Sequence, residues 1–206
     1  MLFASELVRL APTLFVWQAY DSQTKTDLFS AAVRTSEGLY LVDPIALREE
    51  CLSELLNSGP VSGIILTNAN HLRAAPRFAA QFSAPVFARS GALPNESGLN
   101  LKDVGDGDEI CGELGVLEID GAATGEIVLC HRPDQGTLIF GDALINFEPY
   151  GFTFLPPKYC SNPKELRRSL HKLLRHPAER MLFAHGVPIL SGATVRLRQL
   201  LDGDGK

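Results

Sequence analysis

The stretch that most restricts the fold is Ile64–Arg73. An apolar run, Ile64–Leu66, opens there into the polar sequence Thr67-Asn68-Ala69-Asn70-His71-Leu72-Arg73. A short apolar run followed by a helical pattern from His71 to Phe82 reads as a buried strand feeding a helix. The ends of such strands are where α/β proteins usually place their chemistry. In extended backbone Asn68 and Asn70 lie two apart, so their side chains point the same way. That is the spacing of a metal-binding loop, built here from amides.

The flanking chain sets this unit in a larger pattern. Leu7–Leu10, Leu14–Tyr20, Phe29–Arg34 and Leu39–Val42 are short, apolar or aromatic, and separated by turn formers, which predicts a meander of strands. Ala46–Leu56 carries Leu47, Cys51, Leu52, Leu55 and Leu56 close to one helical face, and Gly59-Pro60 ends it. With Pro85–Ala88 as a strand, residues 44–88 alternate helix and strand, the signature of parallel βα units. After a turn-rich acidic segment, Val116–Ile119, Ile127–Cys130 and Thr137–Phe140 predict a second set of strands. The aromatic, proline-rich segment 146–160 reads as an ordered loop at the mouth of the site.

Pro163–Leu174 predicts a helix, with Ser161 or Asn162 as its cap and Pro163 in its first turn. Its apolar stripe is Leu166, Leu170, Leu173 and Leu174, and its opposite face is basic. Arg180–Ala184 reads as a strand, Thr194–Leu201 as the last helix, and Asp202–Lys206 as a frayed tail. With no linker or repeat, residues 1–206 read as one domain.

Composition limits the function classes. A net charge of −5 argues against non-specific nucleic-acid binding, which needs a basic surface. No run approaches the roughly 20 apolar residues of a membrane-spanning helix. Cys51, Cys111, Cys130 and Cys160 form no C-x-x-C pair, so they read as free thiols of a reducing cytosol. The N-terminal apolar run is interrupted by Glu6 and Arg9 and lacks a basic lead, so no secretory signal is expected. The expected location is therefore cytoplasmic. His131, His171 and His176 read as surface residues. Asp43 reads as fixing a turn or supporting the cleft from behind, and Glu126 as orienting the loop beside it.

Five segments in order carry a family resemblance: Leu39–Pro44 (LYLVDP), Thr67–Arg73 (TNANHLR), Gly121–Glu126 (GAATGE), Phe140–Ala143 (FGDA) and Ala184–Gly186 (AHG). Over residues 14–190 the chain resembles the metallo-β-lactamase superfamily. The resemblance implies an αββα sandwich of two mixed sheets covered by helices. It also implies a cleft that, in family members, holds one or two metal ions on the motifs T-H-x-H-x-D-H, G-H-T-P-G-E, G-D and G-H-G. Carried over position by position, Asn68 and Asn70 replace two histidines, Leu72 the aspartate, Arg73 the last histidine, and Ala122 the histidine of the middle motif. Asp142 and His185 alone match ligand positions.

Two ligands do not hold zinc tightly; catalytic sites normally keep three. The expectation is therefore a cleft without the usual metal centre and no cofactor, lined by Asn68, Asn70, His71, Arg73, Ala122, Glu126, Asp142 and His185. A buried Asp142 without metal needs a counter-charge, and Arg73, permanently cationic, is expected to pair with it. The leading function is a non-catalytic or atypical relative that binds a small molecule. The alternative is a hydrolase of esters, thioesters or lactams holding zinc or iron loosely on His71, Asp142 and His185. A third is an interaction protein, a homodimer formed through residues 146–160. Neither nucleic acid nor membrane is an expected partner.

Overall fold

The structure, a computed structural model, describes residues 2–93 and 98–203. Two sheets lie face to face. The first has seven strands in the order Val8–Ala11, Leu14–Asp21, Thr26–Thr35, Gly38–Val42, Val61–Ile65, Val86–Ala88 and Leu101–Asp103. Its first four strands pair antiparallel, as the meander predicts, and the remainder pair parallel. The second has five: Glu109–Ile110, Leu114–Glu118, Ile127–His131, Thr137–Phe140 and Arg180–Phe183, with the last pair parallel.

Period-two alternation explains why both faces of each sheet are covered. Leu14 and Val16 point between the sheets, where they meet Leu114, Val116, Leu129 and Ile139. Their neighbours Phe15 and Trp17 point outward, under the helices α1 (Glu49–Leu56) and α2 (Ala75–Phe82). The second sheet turns Val128, Leu138 and Met181 toward α3 (Pro163–Leu170) and α4 (Ala193–Gly203). Three cores separated by two sheets give the four-layer αββα sandwich.

Several boundaries differ from the sequence reading. Helix α2 begins at Ala75 rather than His71. The intervening residues stay irregular: Arg73 adopts φ 38°, left-handed backbone that ends any helix. Ala46–Leu47 is a short strand paired with Phe3–Ala4, so α1 starts only at Glu49. Segment 146–160 is not a loop. Leu144–Phe147 and Gly151–Phe154 form a hairpin, followed by a 3-10 turn at Pro157–Tyr159. Helix α3 continues as a 3-10 segment from His171 to Arg175. The last three residues of the expected frayed tail lie outside the described residues.

Candidate functional site

Four chain segments meet where strands of both sheets end: Asp43 after Gly38–Val42, Thr67–Arg73 after Val61–Ile65, Gly141–Ala143 after Thr137–Phe140, and Ala184–Gly186 after Arg180–Phe183. The two sheets touch at this end. The Phe29 amide donates to the Ala184 carbonyl at 2.9 Å, and Leu28 bridges His185. Gly141 permits the approach, since a Cβ there would collide with Thr67 Oγ1 and sit 2.8 Å from Asn68 Nδ2.

Asp43 anchors the inner wall. Its Oδ1 accepts from the Thr67 amide at 2.8 Å, and its Oδ2 from Thr67 Oγ1 at 2.5 Å and His71 Nδ1 at 2.9 Å. A carboxylate only accepts, so a proton sits on Nδ1, and in the neutral ring Nε2 is left bare toward the cleft. His71 Nε2 lies 3.2 Å from Asp142 Oδ1, yet it is buried and makes no hydrogen bond among the described residues. His185 Nε2 approaches the same oxygen at 3.3 Å. The donor atoms of His71, Asp142 and His185 all lie within 4.8 Å of one another. Asn70 Nδ2 donates to the other Asp142 oxygen at 3.2 Å.

The charges are strongly interdependent. Burial works against ionisation of Asp43, but the His71 charge and hydrogen bond, with Arg73 and Thr67, outweigh it and hold the carboxyl below its usual range. Burial likewise opposes charge on His71, yet Asp43, helped by Asp142, pushes the ring up to about 9. Asp142 is held far below the usual carboxylate range by His185 and His71, against its own burial. Glu126 goes the other way: burial first, and the Asp142 charge second, push it up to about 8.

Of the eight expected cleft residues, six gather here, and two are placed differently from expectation. Asn68 is fully buried and donates to Glu126 Oε2 at 2.7 Å, while Glu126 Oε1 accepts from the Ala143 amide at 2.9 Å. Ala122 turns its methyl into the core between the second sheet and α3. Arg73 does not form the expected pair with Asp142. Its guanidinium donates instead to the carbonyls of Phe29, Asp43 and Ala184, with Asp43 at 2.9 Å. One carbonyl within a strand, Phe29, and two at strand ends, Asp43 and Ala184, take its hydrogen bonds, and His71 faces Asp142 in its stead. His131, expected at the surface, is 1% exposed and bonds Thr13 Oγ1 at 3.1 Å.

The sequence reading missed Thr67 as a hub and Ser30, whose hydroxyl donates to the Asp43 carbonyl at 2.7 Å and accepts from the Ile45 amide at 2.8 Å. Ser30 sits mid-strand with no sequence signal; Thr67 could have been found from its place at the strand end. Asn146 straps the hairpin to the His185 loop, its backbone N–H donating to the His185 carbonyl at 3.1 Å.

No curated protein sequence matches the chain. The fold is shared with solved metallo-β-lactamases. DIM-1 metallo-β-lactamase matches with TM-score 0.73 at 13% identity, over 97% of this chain and 98% of that one. A metallo-β-lactamase from Pontibacter korlensis matches with TM-score 0.73 at 17% identity, over 98% and 99%. A metallo-β-lactamase family protein from Thermus thermophilus gives 0.67 at 19%, over 95% of this chain and 79% of that one. The sequence pattern described as metallo-beta-lactamase superfamily covers residues 7–203, and the chain belongs to that superfamily.

Proposed function

We propose that the protein is a hydrolase of esters, thioesters or lactams whose cleft takes one divalent cation of the zinc or iron class on His71, Asp142 and His185. The observation that carries this reading is His71 Nε2. It is buried, has no hydrogen bond among the described residues, and lies 3.2 Å from an Asp142 oxygen that a second imidazole also approaches. Buried polar atoms rarely lack a partner, and two imidazoles with one carboxylate are a fitting donor set for such ions. Asp43 behind His71 supports it as carboxylates support metal-bound histidines, fixing the tautomer and raising the basicity of the ligating nitrogen.

When bound, such an ion supplies a water acidified toward neutral pH and a Lewis-acid pole for a carbonyl oxygen. The remaining work falls to this chain. Thr67 and Asp43 hold the His71 proton away from the cleft. Asn70 holds Asp142 by its other oxygen, leaving Oδ1 toward both imidazoles. His185 is the most open of the three, its side chain 20% exposed, and marks the side from which substrate enters. Glu126 is not available as a general base, because both of its oxygens are bonded and it is fully buried.

A second reading, a metal-free cleft that binds a small molecule, is favoured by the charge count. With His71 protonated, two cations, His71 and Arg73, balance two anions, Asp43 and Asp142. Elemental analysis of purified protein separates the two. About one equivalent of zinc or iron, lost in Asp142→Asn, supports the hydrolase. Absence of metal, with thermal stability unchanged by chelator, overturns it in favour of the metal-free cleft. Hydrolysis of chromogenic esters and thioesters by the metal-loaded protein then tests the reaction class. Among the described residues no helix is long and apolar enough to cross a membrane.

A further inference from the structure

The family cleft holds up to two ions, and the Asn68 side of this one is filled by protein. Asn68 and Glu126 are both fully buried. Asn68 spends its amide nitrogen on Glu126 Oε2 at 2.7 Å and its amide oxygen on the Asn70 backbone at 2.8 Å. Glu126 spends its second oxygen on the Ala143 amide, next to Asp142. The space is tight as well as saturated. A Cβ on Gly141 would lie 2.8 Å from Asn68 Nδ2 and 2.9 Å from Glu126 Oε1, so no atom fits there without displacement.

We infer that the Asn68–Glu126 pair is an internal plug that occupies the second cation position of the fold and limits the cleft to one ion. The plug supplies by hydrogen bonding the cross-link between the two sheet ends that a second ion would supply by coordination. It ties the Thr67–Asn70 turn to Gly141–Ala143 from behind, and so fixes Asp142 relative to His71. An amide is a weak neutral ligand, and a fully buried carboxyl with an N–H donor on each oxygen must give up those hydrogen bonds and move before it can ligate an ion. The inference rests on the geometry of the pair and not on occupancy of the proposed triad, so the two can fail separately.

The test is a count of cadmium or zinc equivalents in wild type and in the Asn68→His/Asn70→His variant, by equilibrium dialysis and elemental analysis. Replacing Asn68 removes the hydrogen bond its amide donates to Glu126 and frees that carboxyl oxygen. The expected result is one additional equivalent in the variant over wild type, whatever the wild-type count. A folded variant, shown by its circular dichroism, that gains no equivalent overturns the inference. Should the variant not fold, cadmium-113 resonances of wild type in excess cadmium decide the point. One resonance or none supports the plug, and two overturn it. A wild-type count of zero would sink the proposed triad while leaving the plug standing.

Discussion

Asp43 and Asp142 are buried carboxylates, and one imidazole, His71, faces both, at 2.9 Å and 3.2 Å. Removing one partner of a buried ion pair leaves an uncompensated charge, at a cost of about 3–5 kcal/mol. In chelator-treated protein His71→Ala is therefore expected to lose stability in that range in denaturant unfolding. A loss of less than about 1 kcal/mol would mean that water or Arg73 neutralises the pair equally well. Six of the eight residues expected at the cleft come together in the structure, because the five motifs fell in order, while Ser30 and the central place of Thr67 were not read. Which residue meets which was not legible in sequence. Arg73 was expected on Asp142, but its left-handed backbone aims the guanidinium at three carbonyls. No pattern in sequence reports a side chain's direction at φ 38°. His71 escaped a firm assignment for the same reason: an expected helix start would have pointed it elsewhere.

Secondary elements were most readable where they were long and periodic. The stripe of Leu166, Leu170 and Leu173 marks α3 and its continuation, and all three are buried. Asn162 caps that helix, its Oδ1 accepting from the Lys164 and Glu165 amides at 3.2 Å each. Asn162→Ala is expected to cost about 1 kcal/mol, read as a lowered denaturation midpoint, with metal content unchanged. An unchanged midpoint would show that Pro163 alone sets the helix start. Two short strand pairs were not readable: Ala46–Leu47 pairs with the distant Phe3–Ala4, and the 144–154 hairpin was masked by its aromatics and Pro149. Gly141→Ala would force two strand ends apart. Overpacking there is expected to cost about 1–3 kcal/mol and to weaken ion binding together with stability. Wild-type stability in that variant would contradict the close approach of the sheets.

The whole molecule is a sandwich whose layers follow from alternation of apolar side chains on both faces of both sheets. This much was legible, because strands buried on two faces have few alternatives once helices alternate with them. What emerges only at this scale is the dependence of stability on pH in the absence of divalent ions. Asp43 and Asp142 titrate below their ordinary range when folded, so their contribution is present above about pH 5 and lost as pH falls. Burial lowers His131, which adds a loss as pH falls through its ordinary 6.5. His71, pushed up to about 9, contributes fully below 6.5 and loses that contribution as pH rises through 9. Glu126, pushed up to about 8, has the same sign. Chelator-treated protein is thus expected to be less stable at about pH 9 than at about pH 6, and Glu126→Gln to flatten part of that slope. A stability that is level or rising over this interval would contradict the buried imidazolium.

In the proposed one-ion cleft the third donor is His71, which lies outside the ligand pattern of the family motif. The most direct measurement is a cobalt(II) titration of wild type and His71→Ala, followed by visible absorption. The expected result is one equivalent bound by wild type, with the ligand-field bands of a site that includes imidazole, and no tight binding by a folded His71→Ala protein. One equivalent bound by both proteins with the same spectrum, or by neither, would contradict it.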